Sequence, residues 1–164
     1  MGQHRHMSLW GAGPLYVITI SVFTLVAACF HFSGRLPSVE LPAGIMKLMD
    51  MIGIVLAVAG ITVWSRAVYG SGIRKGIRED RLVTDGIYAW IRHPVYASFT
   101  YLYWGILFCM GNVWLLVSVP LYWIFLTVLM KNTEEKWLHN RYGKEYEDYC
   151  RKVNRCIPKL TGKK

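Results

Sequence analysis

Four apolar stretches govern what this chain can fold into: Pro14 to Phe32, Ile45 to Trp64, Val95 to Met110 and Val113 to Met130. A helix needs about 20 residues to cross the hydrocarbon of a bilayer, so the four read as transmembrane helices. The third is the shortest. At about 1.5 Å per residue it spans roughly 24 Å, which leaves it nearly upright or partly outside the hydrocarbon. Composition agrees, with 54% hydrophobic residues, 18% charged residues and a mean hydropathy of +0.29. Since a large part of the 164 residues is committed to lipid, no separate soluble catalytic domain is expected, and a single all-α domain over 1–164 is.

Local signals refine this bundle. Gly111-Asn112 is a tight turn that makes the last two spans an antiparallel hairpin, and Pro120 is expected to bend the fourth helix or free a carbonyl. Lys47 and Asp50, at i, i+3 spacing near the start of the second span, are placed to neutralise each other. Of the 19 Lys and Arg residues, Arg5, Arg35 and Lys47 precede the middle loop, six lie in or beside it, and ten follow Met130. Both basic segments are therefore expected on the cytoplasmic side, with four inserted helices and both termini inside. The net charge of +9 then reads as topology and attraction to anionic lipid heads. No nucleic-acid-binding motif accompanies it.

Val26-Ala27-Ala28-Cys29 resembles a lipoprotein cleavage box. Only Arg5 supplies charge before it, and cleavage would remove a helix the bundle needs, so retention is expected. His4 and His6, within Met1 to Met7, lack the further ligands of a closed metal site, and none is expected elsewhere. Cys29, Cys109, Cys150 and Cys156 form no CxxC pair, so reduced thiols are expected.

The chemistry-bearing segment is Gly86-Ile87-Tyr88-Ala89-Trp90-Ile91-Arg92-His93-Pro94-Val95-Tyr96, where the chain re-enters the membrane. Arginine and histidine beside hydrocarbon are costly unless paired, solvated or used, which makes them functional candidates. An interfacial anchor, with Arg92 snorkelling and the aromatics forming a belt, is the alternative. Proline favours the first helical turn and drives its predecessor out of the helix, so the third helix is expected to start at Pro94 with His93 just outside. The free N–H groups of that turn suit an anion such as an amino-acid carboxylate. Good helix formers from Lys131 to Tyr142, closed by Gly143, predict that the fourth helix runs on unbroken into the cytoplasm. Glu134 and Glu135 then stand at the depth of Arg92 and His93. They are placed either to accept from an ammonium or ribose hydroxyls, or to form an exposed interhelical salt bridge worth about 0 to 1 kcal/mol.

The stretch from Leu82 to Tyr96, then Thr133-Glu134-Glu135, Leu138, Tyr142-Gly143-Lys144-Glu145-Tyr146-Glu147-Asp148-Tyr149, Val153 and Ile157-Pro158, resembles the isoprenylcysteine carboxyl methyltransferases and the related membrane phospholipid methyltransferases. Before Arg81 the likeness is only hydropathic. The resemblance implies S-adenosyl-L-methionine-dependent methylation of a lipid-soluble acceptor, with the donor-binding part over about 80–158. It implies cofactor contacts at Leu82, Val83, Tyr88, His93, Pro94, Val95, Tyr96 and Glu134, and places Arg92 and Glu135 in the catalytic centre as groups that orient them. The tail from Arg141 to Pro158 is implied as a cover.

One departure bears on the acceptor. Where the prenylcysteine enzymes carry an arginine four residues before the cofactor glutamate, this chain has Met130, with Lys131 adjacent. Lysine is a point charge rather than a bidentate fork, which leaves an isoprenylcysteine-like carboxylate, an isoprenoid acid, a thiol and a phospholipid amine open as acceptors. In-line transfer of a sulfonium methyl needs little covalent help, and positioning supplies up to about 7 to 11 kcal/mol. Two other readings stand beside it: an NADPH-dependent sterol-reductase-like enzyme and a non-catalytic lipid-binding membrane protein.

Overall fold

Apolar side chains cover most of the surface that a soluble protein would make polar. Phe23, Leu25, Ile54, Val55 and Val58 are all more than half exposed, a pattern that is stable only against lipid. The computed structural model describes residues 12–158, so Met1 to Met7, with His4 and His6 and the metal site not expected there, lie outside the described residues. Helices α1 (Ala12–Phe32) and α2 (Ala43–Tyr69) are followed by a short α3 (Ile73–Arg78), a 3-10 turn (Gly86–Ala89) and α4 (Pro94–Cys109). A second 3-10 turn (Val113–Val117) leads into α5 (Ser118–Asn132), α6 (Glu134–Tyr142) and α7 (Lys144–Lys152). The protein is an all-α membrane bundle, as expected. Among the described residues three segments are long and apolar enough to cross a membrane, Gly13–Phe32, Ala43–Tyr69 and Val113–Tyr142. At 16 residues, α4 is the short member that the sequence predicts.

Small residues set the tightest crossing. A Cβ added to Gly105 of α4 would stand 2.6 Å from the Gly53 carbonyl and 2.8 Å from the Ala57 amide of α2, so only glycine permits this approach. Helix α1 is attached by hydroxyls instead: Tyr16 to Thr100 at 2.7 Å, Thr24 to Tyr122 at 2.8 Å, and Ser21 to Tyr103. At the opposite end of the bundle, Gly111 adopts a φ of +63° and the Asn112 side chain accepts from the Trp114 N–H at 3.0 Å, closing the predicted hairpin turn.

Two details depart from the sequence reading. The fourth span opens as a 3-10 turn and becomes α-helical only at Ser118, which puts Pro120 in the first turn of α5, where it breaks no helix interior. The unbroken helix expected to run through Lys131 to Tyr142 is interrupted at Thr133, whose φ of −120° and ψ of −83° are non-helical. The reason is local. The Thr133 hydroxyl donates back to the Leu129 carbonyl at 2.6 Å and the Asn132 amide to the Val128 carbonyl at 2.9 Å, contacts that bend helices and that propensity does not register. The break makes Glu134 and Glu135 the first-turn acids of a new helix, where the helix dipole favours them.

The tail folds back on the loop before α4. Leu82, Tyr146, Tyr149 and Val153 form a second small core, and residues 154 and 155 pair with the entrance to α4: the Arg92 N–H donates to the Asn154 carbonyl and the His93 N–H to the Arg155 carbonyl, both at 2.9 Å. Two backbone bonds thus tie the chain's end to the start of α4.

Candidate functional site

Pro94 is the first residue of α4 and His93 caps it, as the sequence predicts. The cap holds His93 only 4% exposed, facing the first turn of α6. Its Nδ1 lies 3.7 Å from Glu134 Oε2, and its Nε2 lies 3.4 Å from Glu135 Oε1 at an angle that leaves Nε2 without a hydrogen bond. Arg92 reaches the same carboxylate, with Nη1 3.0 Å from Glu135 Oε1, and also donates to the Tyr146 hydroxyl at 3.2 Å and to Cys150 Sγ at 2.7 Å. Arg155 closes the other side. Its Nε and Nη2 meet the two Glu135 oxygens at 2.9 and 2.7 Å, a bidentate pair.

Electrostatics follow from this geometry. Burial by itself raises the Glu135 carboxyl, but His93, Arg155 and Arg92 outweigh it and hold the group well below the usual carboxylate range. Glu135 is therefore a fixed anion between two cations. Glu134 is different: its Oε2 is buried without a hydrogen-bond partner, and it stands beside the hydroxyls of Tyr96 and Tyr88. Burial first and the Glu134 charge second push the Tyr88 hydroxyl up to about 12, so it stays a proton donor at neutral pH. The Tyr88 carbonyl is held from the tail by the Tyr149 hydroxyl at 2.6 Å.

Of the ten candidate residues, Arg92, His93, Tyr88, Tyr96, Glu134 and Glu135 converge at the start of α4, with Pro94 and Val95 supplying its first turn. Leu82 sits in the tail's core, and the Val83 methyl packs on Gly76, where an added Cβ would lie 2.2 Å from it. A cleft of about 560 Å³ between α6 and α7 is lined by Lys131, Lys136, His139, Tyr146, Cys150 and Glu135 among others. Through Glu135 it reaches the same cluster.

Three orphaned buried atoms mark what the cluster is built to hold: Arg92 Nε, His93 Nε2 and Glu134 Oε2. Buried polar atoms are normally paired, and three left open within one cluster suit a polar ligand. Sequence reasoning missed Arg155, Tyr146 and Cys150. The polar Asn154-Arg155 between the apolar Val153 and Cys156 was the available signal, since both apolar neighbours are buried.

Residues 43–145 match the family described as Phospholipid methyltransferase. The chain belongs to this family. Its curated relatives include the protein-S-isoprenylcysteine O-methyltransferase of Schizosaccharomyces pombe, 41% identical over 83 residues that make up 49% of this chain and 34% of the relative. That of Saccharomyces cerevisiae is 33% identical over 125 residues, covering 68% of this chain and 50% of the relative, and the human enzyme is 28% identical over 124 residues, covering 71% and 43%. The chain thus spans about a third to a half of the length of these relatives. No solved structure matches. The phospholipid methyltransferase match takes in α2 through α6 and hence Arg92, His93, Glu134 and Glu135, while α1 and most of α7 fall outside it.

Proposed function

We propose that this protein is an integral membrane methyltransferase that binds S-adenosyl-L-methionine where α4 begins and methylates a lipid-soluble acceptor. The observation that carries this reading is the pairing of a buried histidine, His93, with a carboxylate, Glu134, one of whose oxygens is buried without a hydrogen-bond partner, at a helix start that lacks its first N–H partners. The donor's amino-acid end is a zwitterion and its ribose carries hydroxyls. Both match the open atoms. When bound, the donor supplies an electrophilic methyl on a sulfonium sulfur.

The rest falls to the chain. The N–H groups of Val95 and Tyr96 at the α4 start face a carboxylate; Glu134 accepts from an ammonium or ribose hydroxyls; Tyr88 and Tyr96 add hydroxyl donors. Arg92 and Arg155 hold Glu135 so that it steers the His93 ring and touches little else. The tail from Arg141 to Pro158 covers the site and excludes water, and 80–158 is the donor-binding part. Catalysis then rests on positioning, worth up to about 7 to 11 kcal/mol.

The acceptor enters from lipid. The relatives are protein-S-isoprenylcysteine O-methyltransferases, which favours an isoprenylcysteine-like carboxylate. Met130 is fully buried with Lys131 exposed beside it, which keeps isoprenoid acids, thiols and phospholipid amines in the substrate class. The basic flanks support a cytoplasmic site, with the segments before α1 and after α7 on the same side. Methyl-labelled S-adenosyl-L-methionine incubated with membranes carrying the protein and with lipid extract should yield one labelled lipid-soluble species. Absence of label beyond that of membranes lacking the protein overturns the reading.

A further inference from the structure

Helix α1 lies outside residues 43–145, the stretch that matches the family, yet its first two turns grip a residue at the centre of the candidate site. Tyr16 is fully buried, its ring stacked on Phe125 at 5.7 Å and edge-on to Tyr96 at 6.1 Å. Its hydroxyl bonds Thr100 Oγ1 at 2.7 Å. Because the Thr100 hydroxyl donates its single proton to the Tyr96 carbonyl at 2.9 Å, Tyr16 must be the donor to Thr100. The chain of bonds has one direction, from Tyr16 through Thr100 to the Tyr96 backbone.

Three residues earlier, on the same face of α1, stands Gly13. A Cβ there would lie 2.9 Å from the Tyr96 hydroxyl oxygen and 3.4 Å from its ring edge. The hydroxyl therefore uses space that any other residue at position 13 would take, and that same hydroxyl adjoins Glu134.

We infer that Gly13 and Tyr16 are positioning residues: α1 fixes the Tyr96 hydroxyl against Glu134 and thereby sets the affinity for the methyl donor. This rests on the reading of Tyr96 and Glu134 as donor contacts. The bond from Thr24 to Tyr122 attaches the same helix without touching Tyr96, and so separates site-building from simple helix docking.

The test is binding of S-adenosylhomocysteine to the detergent-purified full chain. Gly13→Ala and Tyr16→Phe should each weaken binding about tenfold, the scale of one displaced hydrogen bond to a charged group, while Thr24→Ala leaves it unchanged. The double variant Gly13→Ala/Tyr96→Phe should bind like Tyr96→Phe alone, because the added methyl then has no hydroxyl to displace. Unchanged binding in Gly13→Ala, an equal loss in both backgrounds, or an equal loss in Thr24→Ala overturns the inference. If Gly13→Ala fails to fold, Tyr16→Phe, which removes only an oxygen, decides the matter. A Tyr96→Phe variant that binds normally overturns the site reading and this inference together; weakened Tyr96→Phe with normal Gly13→Ala and Tyr16→Phe leaves the site standing and removes α1 from it.

Discussion

The Arg155 guanidinium grips both oxygens of the Glu135 carboxylate, at 2.9 and 2.7 Å, and so ties the tail to the first turn of α6. With Arg92 3.0 Å away on the same carboxylate, one anion compensates two cations in a half-buried setting. Glu135→Gln keeps the shape and removes the charge, which strands both guanidinium groups. The loss of such a partner costs about 3–5 kcal/mol. A lowered Tm in detergent and faster proteolysis after Tyr149 should report it, whereas an unchanged melt would mean that the apolar contacts and backbone bonds hold the tail without the clamp.

The same clamp sets a pH dependence. The folded Glu135 carboxyl lies below its unfolded value of about 4.3, so the folded state binds fewer protons and is favoured above that pH. The contribution is fully present at neutral pH and fades as pH falls through about 4 towards the depressed folded value. Melting of the wild-type protein from pH 7 to pH 3 should therefore lose stability below pH 4.5 or so, and Glu135→Gln should flatten that part of the curve. Equal slopes in the two proteins would assign the acid sensitivity elsewhere.

The close backbone approach of α2 and α4 gives a third expectation. A methyl at Gly105 would meet the Gly53 carbonyl at 2.6 Å and the Ala57 amide at 2.8 Å, backbone atoms that cannot rotate away. Gly105→Ala should cost about 1–3 kcal/mol by overpacking and lower the Tm, with donor binding at the far end of α4 retained in the protein that remains folded. Loss of binding without loss of Tm would contradict the assignment of Gly105 to packing.

Much of this was legible because it was local. His93-Pro94 announces a helix start, Gly111-Asn112 a turn, and the apolar runs their spans to within a few residues. The break at Thr133 escaped because helix propensity counts side chains and ignores a hydroxyl that bonds back four residues. Arg155 escaped for a different reason: its partner is 20 residues distant, and its placement depends on two backbone bonds between the tail and the α4 entrance that no sequence period encodes. For Leu82 and Val83 the resemblance implies donor contacts, while local packing places Leu82 in the tail's core and Val83 on Gly76.

Everything proposed for the site depends on Glu134 being a ligand group, unlike its clamped neighbour. Calorimetric titration of the detergent-purified protein with S-adenosylhomocysteine tests this most directly, using wild type and Glu134→Gln. Saturable binding by the wild type, weakened about tenfold to a hundredfold in Glu134→Gln with Tm unchanged, is the predicted result. No heat of binding from the wild type, or equal affinity in both proteins, would contradict it.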